Sequence, residues 1–170
     1  IENLESFYLD RGYIQFSIEA SQVSISRNRE SIYITYILSE GPQYRINSVR
    51  VVGDLPLDQQ VIDPIVSTQK DVIYSQAQIT QIEEIFTSLL GNEGYAFASV
   101  AGQPQIDEIS RQVDLSFVVD PGKRTYTRKI LVEGNQITQD DVLRREMRQF
   151  EGAWASDNKI EQSRVRLERL

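Results

Sequence analysis

The sequence predicts an α+β fold made of tandem copies of one β-α-α-β-β unit, each a three-stranded mixed sheet covered by two helices. Three observations predict it. Val49-Arg50-Val51-Val52-Gly53-Asp54 and Ile130-Leu131-Val132-Glu133-Gly134-Asn135 are both short apolar runs closed by a turn signal, and their glycines lie 81 positions apart. The same offset carries Val61-Ile62 onto Val142-Leu143, Ile79 onto Ile160, Phe86 onto Leu167, Leu89 onto Leu170 and Gly41 onto Gly122. Leu9-Asp10-Arg11-Gly12-Tyr13 returns as Gly91-Asn92-Glu93-Gly94-Tyr95 at an offset of 82, a one-residue slip assigned to a loop.

The chain then holds one whole unit, residues 42–122. Residues 1–41 are the back part of a preceding unit, and residues 123–170 the front part of a following one. Within the whole unit, Tyr44–Val52 reads as a strand and Gln59–Val66 as a short helix with Pro64 inside it, which predicts a distorted turn. Ser75 is placed to cap a helix on which Ile79, Ile82, Phe86, Leu89 and Leu90 share one face, and Gly91–Gly94 stops it. A strand opens at Tyr95 and runs toward Gln105, Asp107-Glu108 turns, and Val113, Leu115 and Phe117 alternate toward Pro121-Gly122. The last two strands form a hairpin. The first joins them through a helical crossover.

The partial copies follow the same order. In front, a helical start with Leu4, Phe7 and Tyr8 on one face leads to strands Ser21–Ser26 and Ser31–Leu38 around the turn at 27–30. Ile32, Ile34, Tyr36 and Leu38 fall on one face, Tyr33 and Ile37 on the other. In the rear, Thr138 is placed to cap a helix carrying Asp140-Asp141 at its positive end, with Val142, Leu143, Met147 and Phe150 near helical spacing. Ser156-Asp157 caps the next. The joints, Glu40-Gly41-Pro42 and Asp120-Pro121-Gly122-Lys123, have almost no linker, which predicts an extended arm of limited bending. Ile1-Glu2-Asn3-Leu4 has neither the basic region nor the apolar core of a signal peptide, and no initiator Met, so a piece of a longer chain is expected.

Composition narrows the function. The chain has no Cys and no His, which removes thiolate sites, disulfides and the usual general base and zinc ligand. No apolar run approaches the roughly 18 residues of a membrane helix. The net charge of −7 is uneven: residues 1–41 carry three basic and six acidic side chains, 42–122 four and eleven, and 123–170 eleven and eight. A basic end on an acidic body suggests an acidic partner or anionic surface, against the plainer reading of a solvated mixed-charge helix face. The carboxylate pairs Glu83-Glu84, Asp107-Glu108 and Asp140-Asp141 are sequence neighbours that do not converge, so a metal or hydrolase role is the poorer reading. No phosphate-binding glycine motif occurs. Arg128, Lys129, Arg144, Arg145 and Arg148 cluster, but the chain is acidic and its aromatics do not interleave with them, so nucleic acid is not expected. No catalytic, cofactor-binding or metal-binding residue is assigned. Backbone chemistry remains. The strand after the second helix should lie at a sheet edge, Ser21–Ser26 in front and about Ala98–Gln105 in the middle. Such an edge either takes a strand from another protein or is blunted by polar residues.

The tandem β-α-α-β-β unit with its Gly-Tyr turn and glycine-ended hairpin resembles the POTRA (polypeptide-transport-associated) domains. The run Val142-Leu143-Arg144-Arg145-Glu146-Met147-Arg148-Gln149-Phe150-Glu151-Gly152-Ala153-Trp154 is similar to the barrel-proximal POTRA domain of the outer-membrane barrel-assembly factors. The resemblance covers the whole chain, as the end of a third, all of a fourth and the front of a fifth POTRA domain. It implies a non-enzymatic periplasmic scaffold, touching the membrane only through a barrel beyond this sequence. It also implies unfolded outer-membrane proteins and accessory lipoproteins as partners. A propeller-shaped lipoprotein would meet the front edge strand at Val23, Ile25 and Tyr33. A helical-repeat lipoprotein would meet Arg144, Arg148 and Glu151. The alternative is a POTRA arm of a two-partner secretion transporter or of another related (Omp85-type) transporter.

Overall fold

The computed structural model describes residues 2–67 and 69–170; the helical reading of Ile1 lies outside them. The element order is α1 (Glu2–Leu9), β1 (Ser17–Ile25), β2 (Ile32–Ser39), β3 (Arg45–Gly53), α2 (Gln59–Ser67), α3 (Gln76–Asn92), β4 (Ser99–Asp107), β5 (Gln112–Asp120), α4 (Asp140–Glu146) and α5 (Asp157–Leu167). β1 and β2 form a two-stranded antiparallel sheet, and a second sheet has the order β3-β5-β4. Asn47 and Ser48 bond Asp114, Arg50 bonds Ser116, and Gly53 lies against Val119. Positions therefore rise together along β3 and β5, which makes that pair parallel and the sheet mixed, as the crossover requires. Both β3 and β4 are edges.

The described chain divides into two compact bodies. One holds the residues up to Arg50, with Ile65–Gln81 and Gln103–Ser116; its core contains Tyr44, Ile46, Tyr74, Ile79, Val113 and Leu115. The other holds Val51–Pro64, Ile82–Gly102 and Phe117–Leu170; its core contains Ile62, Ile82, Phe86, Leu90, Phe117 and Val119. There the helical stripe of α3 meets the alternating stripe of β5, with the rings of Phe86 and Phe117 edge-on at 5.8 Å. Burying each such side chain contributes about 1.5–3 kcal/mol. α2 continues past Pro64 to Ser67 and buries Ile62.

The structure corrects five local expectations. Tyr95–Ala98 is a turn, closed by the Ala98 N–H on the Tyr95 carbonyl, and β4 opens only at Ser99. The one-residue slip is taken up in a strand: β1 and β4 start 82 positions apart, β1 is bulged between Ile18 and Ala20, and the two hairpin tips return to an offset of 81. Ile130–Val132 is not a strand. Its counterpart in β3 has β5 beside it, whereas no strand flanks 130–132 among the described residues. The α4 cap is Gln139 with no side-chain bond, because Asn135 closes its loop onto the Thr138 carbonyl and the helix starts later. α4 ends at Glu146, with Met147 extended and Phe150 exposed, so neither extends the helical face.

Candidate partner-binding surfaces

The front hairpin is exposed along β1 from Glu19 to Ile25. The Ser26 N–H donates to the Ser31 carbonyl at 2.9 Å, so 26 and 31 are a hydrogen-bonded pair. Alternation then places Ser24–Tyr33 and Gln22–Thr35 as bonded pairs, and Ile25–Ile32, Val23–Ile34 and Ser21–Tyr36 as non-bonded ones. The N–H and C=O groups of Ser21, Val23 and Ile25 therefore point away from β2. This supplies an edge, and it separates the predicted contact residues. Val23 and Ile25 share a face with Ile32 and Ile34, while Tyr33, opposite Ser24, lies on the other face. All three are exposed, at 63%, 65% and 61%. They form no single side-chain patch: Val23 and Ile25 share the open edge of β1, whereas the backbone groups of Tyr33 are turned toward Ser24.

In the rear copy Arg144 and Glu151 meet, and Arg148 stands apart. Arg144 donates to Asp140 Oδ2 at 2.7 Å, to Glu151 Oε1 at 3.4 Å and to the Ile130 carbonyl at 3.1 Å. Glu151 Oε1 also accepts the Ile130 N–H at 2.8 Å. That N–H, ahead of the Arg144 guanidinium, holds the Glu151 carboxyl below the usual carboxylate range. Arg144 and Glu151 thus grip both backbone groups of Ile130, as a neighbouring strand would. The Arg148 guanidinium turns back onto the Arg145 and Met147 carbonyls and lines a groove of about 290 Å³ with Glu161, Gln162, Val165 and Arg166.

The polar residues that shape this loop escaped the sequence reading. Buried Gln149 donates to the Phe150 and Trp154 carbonyls and accepts the Ser156 N–H. Buried Ser163 accepts the Arg148 and Gln149 N–H groups and donates to the Lys159 carbonyl. Glu146 pairs with Arg166 at 2.6 Å, joining α4 to α5. The four-residue step from Asp140 to Arg144 was the one available signal.

The two joints are copies of each other. At the first, the Arg11 carbonyl accepts from the Gln43 side chain at 2.8 Å and the Gly12 carbonyl accepts the Tyr44 N–H at 2.8 Å. Asp10 Oδ1 accepts from the Ala77 N–H at 2.8 Å and the Ser75 hydroxyl at 3.4 Å. At the second, the Glu93 carbonyl accepts from Arg124 at 2.7 Å and the Gly94 carbonyl accepts the Thr125 N–H at 2.8 Å. Asn92 Oδ1 accepts from the Asn158 N–H at 2.9 Å and the Ser156 hydroxyl at 3.2 Å. In both, the turn ending one copy's helix supplies an N-terminal cap to the next copy's helix.

Among the described residues no group of His, Cys, Asp or Glu is gathered to hold a metal, and no helix is long and apolar enough to cross a membrane. The profile of the POTRA family, described as the surface antigen variable number repeat, matches residues 44–122 and 125–170. The outer membrane protein assembly factor BamA of Buchnera aphidicola is 32% identical over 169 residues, 99% of this chain and 27% of that protein. The chain thus spans about a quarter of that relative. The crystal structure of Haemophilus influenzae BamA POTRA3-5 superposes with a TM-score of 0.82 at 30% identity, covering 99% of this chain and 66% of that one. The structure of Haemophilus ducreyi BamA lacking POTRA domains 1-3 matches 74% of this chain and 24% of that one, at 38% identity and a TM-score of 0.67.

Proposed function

The chain belongs to the POTRA family, and from that premise we propose that it is part of the periplasmic arm of an outer-membrane barrel-assembly factor. Its segments 1–41, 42–122 and 123–170 would be the end of the third, the fourth and the front of the fifth POTRA domain. The observation that carries this reading is the superposition on Haemophilus influenzae BamA POTRA3-5 along 99% of the chain. The arm holds accessory lipoproteins and receives unfolded outer-membrane proteins by strand addition, a job that needs backbone edges and charged rims rather than a catalytic centre.

In this reading β1 is the edge offered to the propeller-shaped lipoprotein or a client, through Ser21, Val23 and Ile25. The helical-repeat lipoprotein meets the rear loop at Arg144, Arg148 and Glu151. The grip on Ile130 gives Glu151 two roles, since it presents a charge and holds its own loop. Its depressed carboxyl keeps the grip fully formed above the ordinary glutamate value of about 4.3, and the grip is lost as pH falls through the lower folded value.

Glu151→Lys tests the rear site. It reverses the charge, sets a cation beside Arg144 and removes the acceptor for the Ile130 N–H. Affinity for the purified helical-repeat lipoprotein, titrated at low salt, should fall at least tenfold, about 1.4 kcal/mol. An unchanged affinity refutes this contact.

A further inference from the structure

We propose that β4, an edge strand of the three-stranded sheet, is closed to strand addition by Pro104 and Glu83, so that between the two copies of this strand an incoming extended segment is confined to β1. The confinement to β1 rests on the strand-addition reading above; the closure of β4 does not.

β1 and β4 are the same strand of the repeat. Past the bulge the offset is 81, so the outward positions Ser21, Val23 and Ile25 of β1 correspond to Gly102, Pro104 and Ile106 of β4. An added strand bonds to every second residue of the edge it joins, using both the N–H and the C=O. On β4 the Gly102 N–H already donates to Glu83 Oε1 at 2.6 Å. That bond shows that Gly102 faces away from β5, and a carboxyl acceptor makes it one of the stronger kinds. Two residues on, Pro104 has no N–H, and its exposed ring lies on the same edge. Of these three outward positions, one has its N–H occupied and one has no N–H at all.

β1 has neither device. Ser21 and Val23 carry N–H groups that meet no side-chain acceptor among the described residues. By the 82-residue offset the place of Glu83 is taken by Ile1, an aliphatic residue that lies outside the described residues. Proline and a charged group at an edge are the usual means by which sheets avoid pairing with other chains. In this chain they mark one copy of the strand and spare the other, so the repeat keeps its fold while the edge changes function.

The test is amide hydrogen exchange, read residue by residue by NMR on the whole chain, with a synthetic peptide of alternating apolar and polar residues. In the unaltered chain the peptide should slow exchange at Ser21, Val23 and Ile25 and leave Val100 and Ile106 unchanged. The double variant Glu83→Ala, Pro104→Val should gain at least tenfold slowing at Gly102, Ile106 and the amide newly present at position 104. Slowing on β4 in the unaltered chain, or no gain in the double variant, overturns the proposal. Should the double variant not fold, Val23→Pro puts the same block on β1. Its N–H faces away from β2, so Gln22 and Ser24 should keep their hairpin protection while peptide-induced slowing at Ser21 and Ile25 disappears. Persistent slowing there overturns the proposal. No slowing on β1 in the unaltered chain would instead sink the strand-addition reading, leaving the closure to the gain on β4.

Discussion

The joint at Asp10–Gly12 and the joint at Asn92–Gly94 make the same hydrogen bonds through different side chains. Both use the carbonyls of the last two turn residues, and both send an Oδ1 acceptor onto the next copy's helix N-terminus. Around that frame the chemistry diverges. The first acceptor is a carboxylate and the second an amide. The first joint takes its side-chain donor from Gln43. The second takes it from Arg124, whose guanidinium also pairs with Glu93 at 3.5 Å and lies 4.8 Å from the Trp154 ring centroid and 5.5 Å from that of Tyr95. What the repeat preserves is backbone geometry and one acceptor atom; what it leaves free is charge.

The largest expected difference between the joints lies in their glycines. Gly12 has φ +87°, and a Cβ there would lie 2.9 Å from the Tyr44 carbonyl oxygen and 2.9 Å from Ile73 Cγ2. Gly94 has φ +99°, but its nearest neighbour would be Trp154 Cβ at 3.3 Å, with the flexible Arg124 side chain beyond. Both alanine variants carry the left-handed penalty of roughly 1–2 kcal/mol. Gly12→Ala adds an overpacking cost of about 1–3 kcal/mol against backbone that cannot yield. Urea unfolding should show a loss of about 3 kcal/mol for Gly12→Ala and about 1.5 kcal/mol for Gly94→Ala. Equal losses would break the comparison at its strongest point.

The parts of this pattern that showed in the sequence were those with a local signature. Gly-Tyr turns, apolar helical stripes and the N-cap serines Ser75 and Ser156 each declare themselves within a few residues, and their offsets exposed the repeat. The joint bonds did not, because Asp10 and Asn92 look like ordinary turn residues until the next copy's helix is brought against them. Ile130–Val132 shows the same limit from the other side. Its residues are those of a strand, but a strand needs a neighbour, and here side chains of Arg144 and Glu151 meet Ile130 instead. The resemblance marks Arg144, Arg148 and Glu151 as one charged set, yet the backbone that Arg144 and Glu151 grip is not encoded in their spacing. The resemblance groups Tyr33 with Val23 and Ile25, but which backbone groups each presents depends on the hairpin register, which the 26–31 pair establishes.

A smaller effect separates the two acceptors. Asp10→Ala and Asn92→Ala each remove a cap and should each cost about 1 kcal/mol. The exchange variants are more informative. Asp10→Asn should lose roughly 0.5 kcal/mol at low salt and almost nothing at high salt, because only the charge at the helix N-terminus changes. Asn92→Asp should not gain the converse amount, since the Asp157 carboxylate already lies against Gly91 and Glu93 is adjacent. Unfolding midpoints for the pair at two salt concentrations check both signs, and a symmetrical gain and loss would show that the surrounding charges do not matter.

Arg124 offers the most selective probe of the second joint. Arg124→Gln installs there the residue type that the first joint uses at Gln43. It keeps a donor for the Glu93 carbonyl and removes the ion pair and the two ring contacts. The Arg124 and Glu93 side chains are 39% and 57% exposed, so the ion pair contributes at most about 1 kcal/mol and is screened by salt. A cation over an exposed ring contributes about 0.5–1 kcal/mol. A total loss near 1 kcal/mol is expected, and because Trp154 is the only Trp in the chain, its fluorescence reports on this joint alone. A shift in Trp154 emission with the loss in stability retained at high salt would assign the difference between the joints to stacking. A loss that vanishes with salt would assign it to the Glu93 pair. An unchanged midpoint and emission would mean that Arg124 adds nothing beyond what Gln43 supplies, and that the two joints differ in surface charge but not in strength.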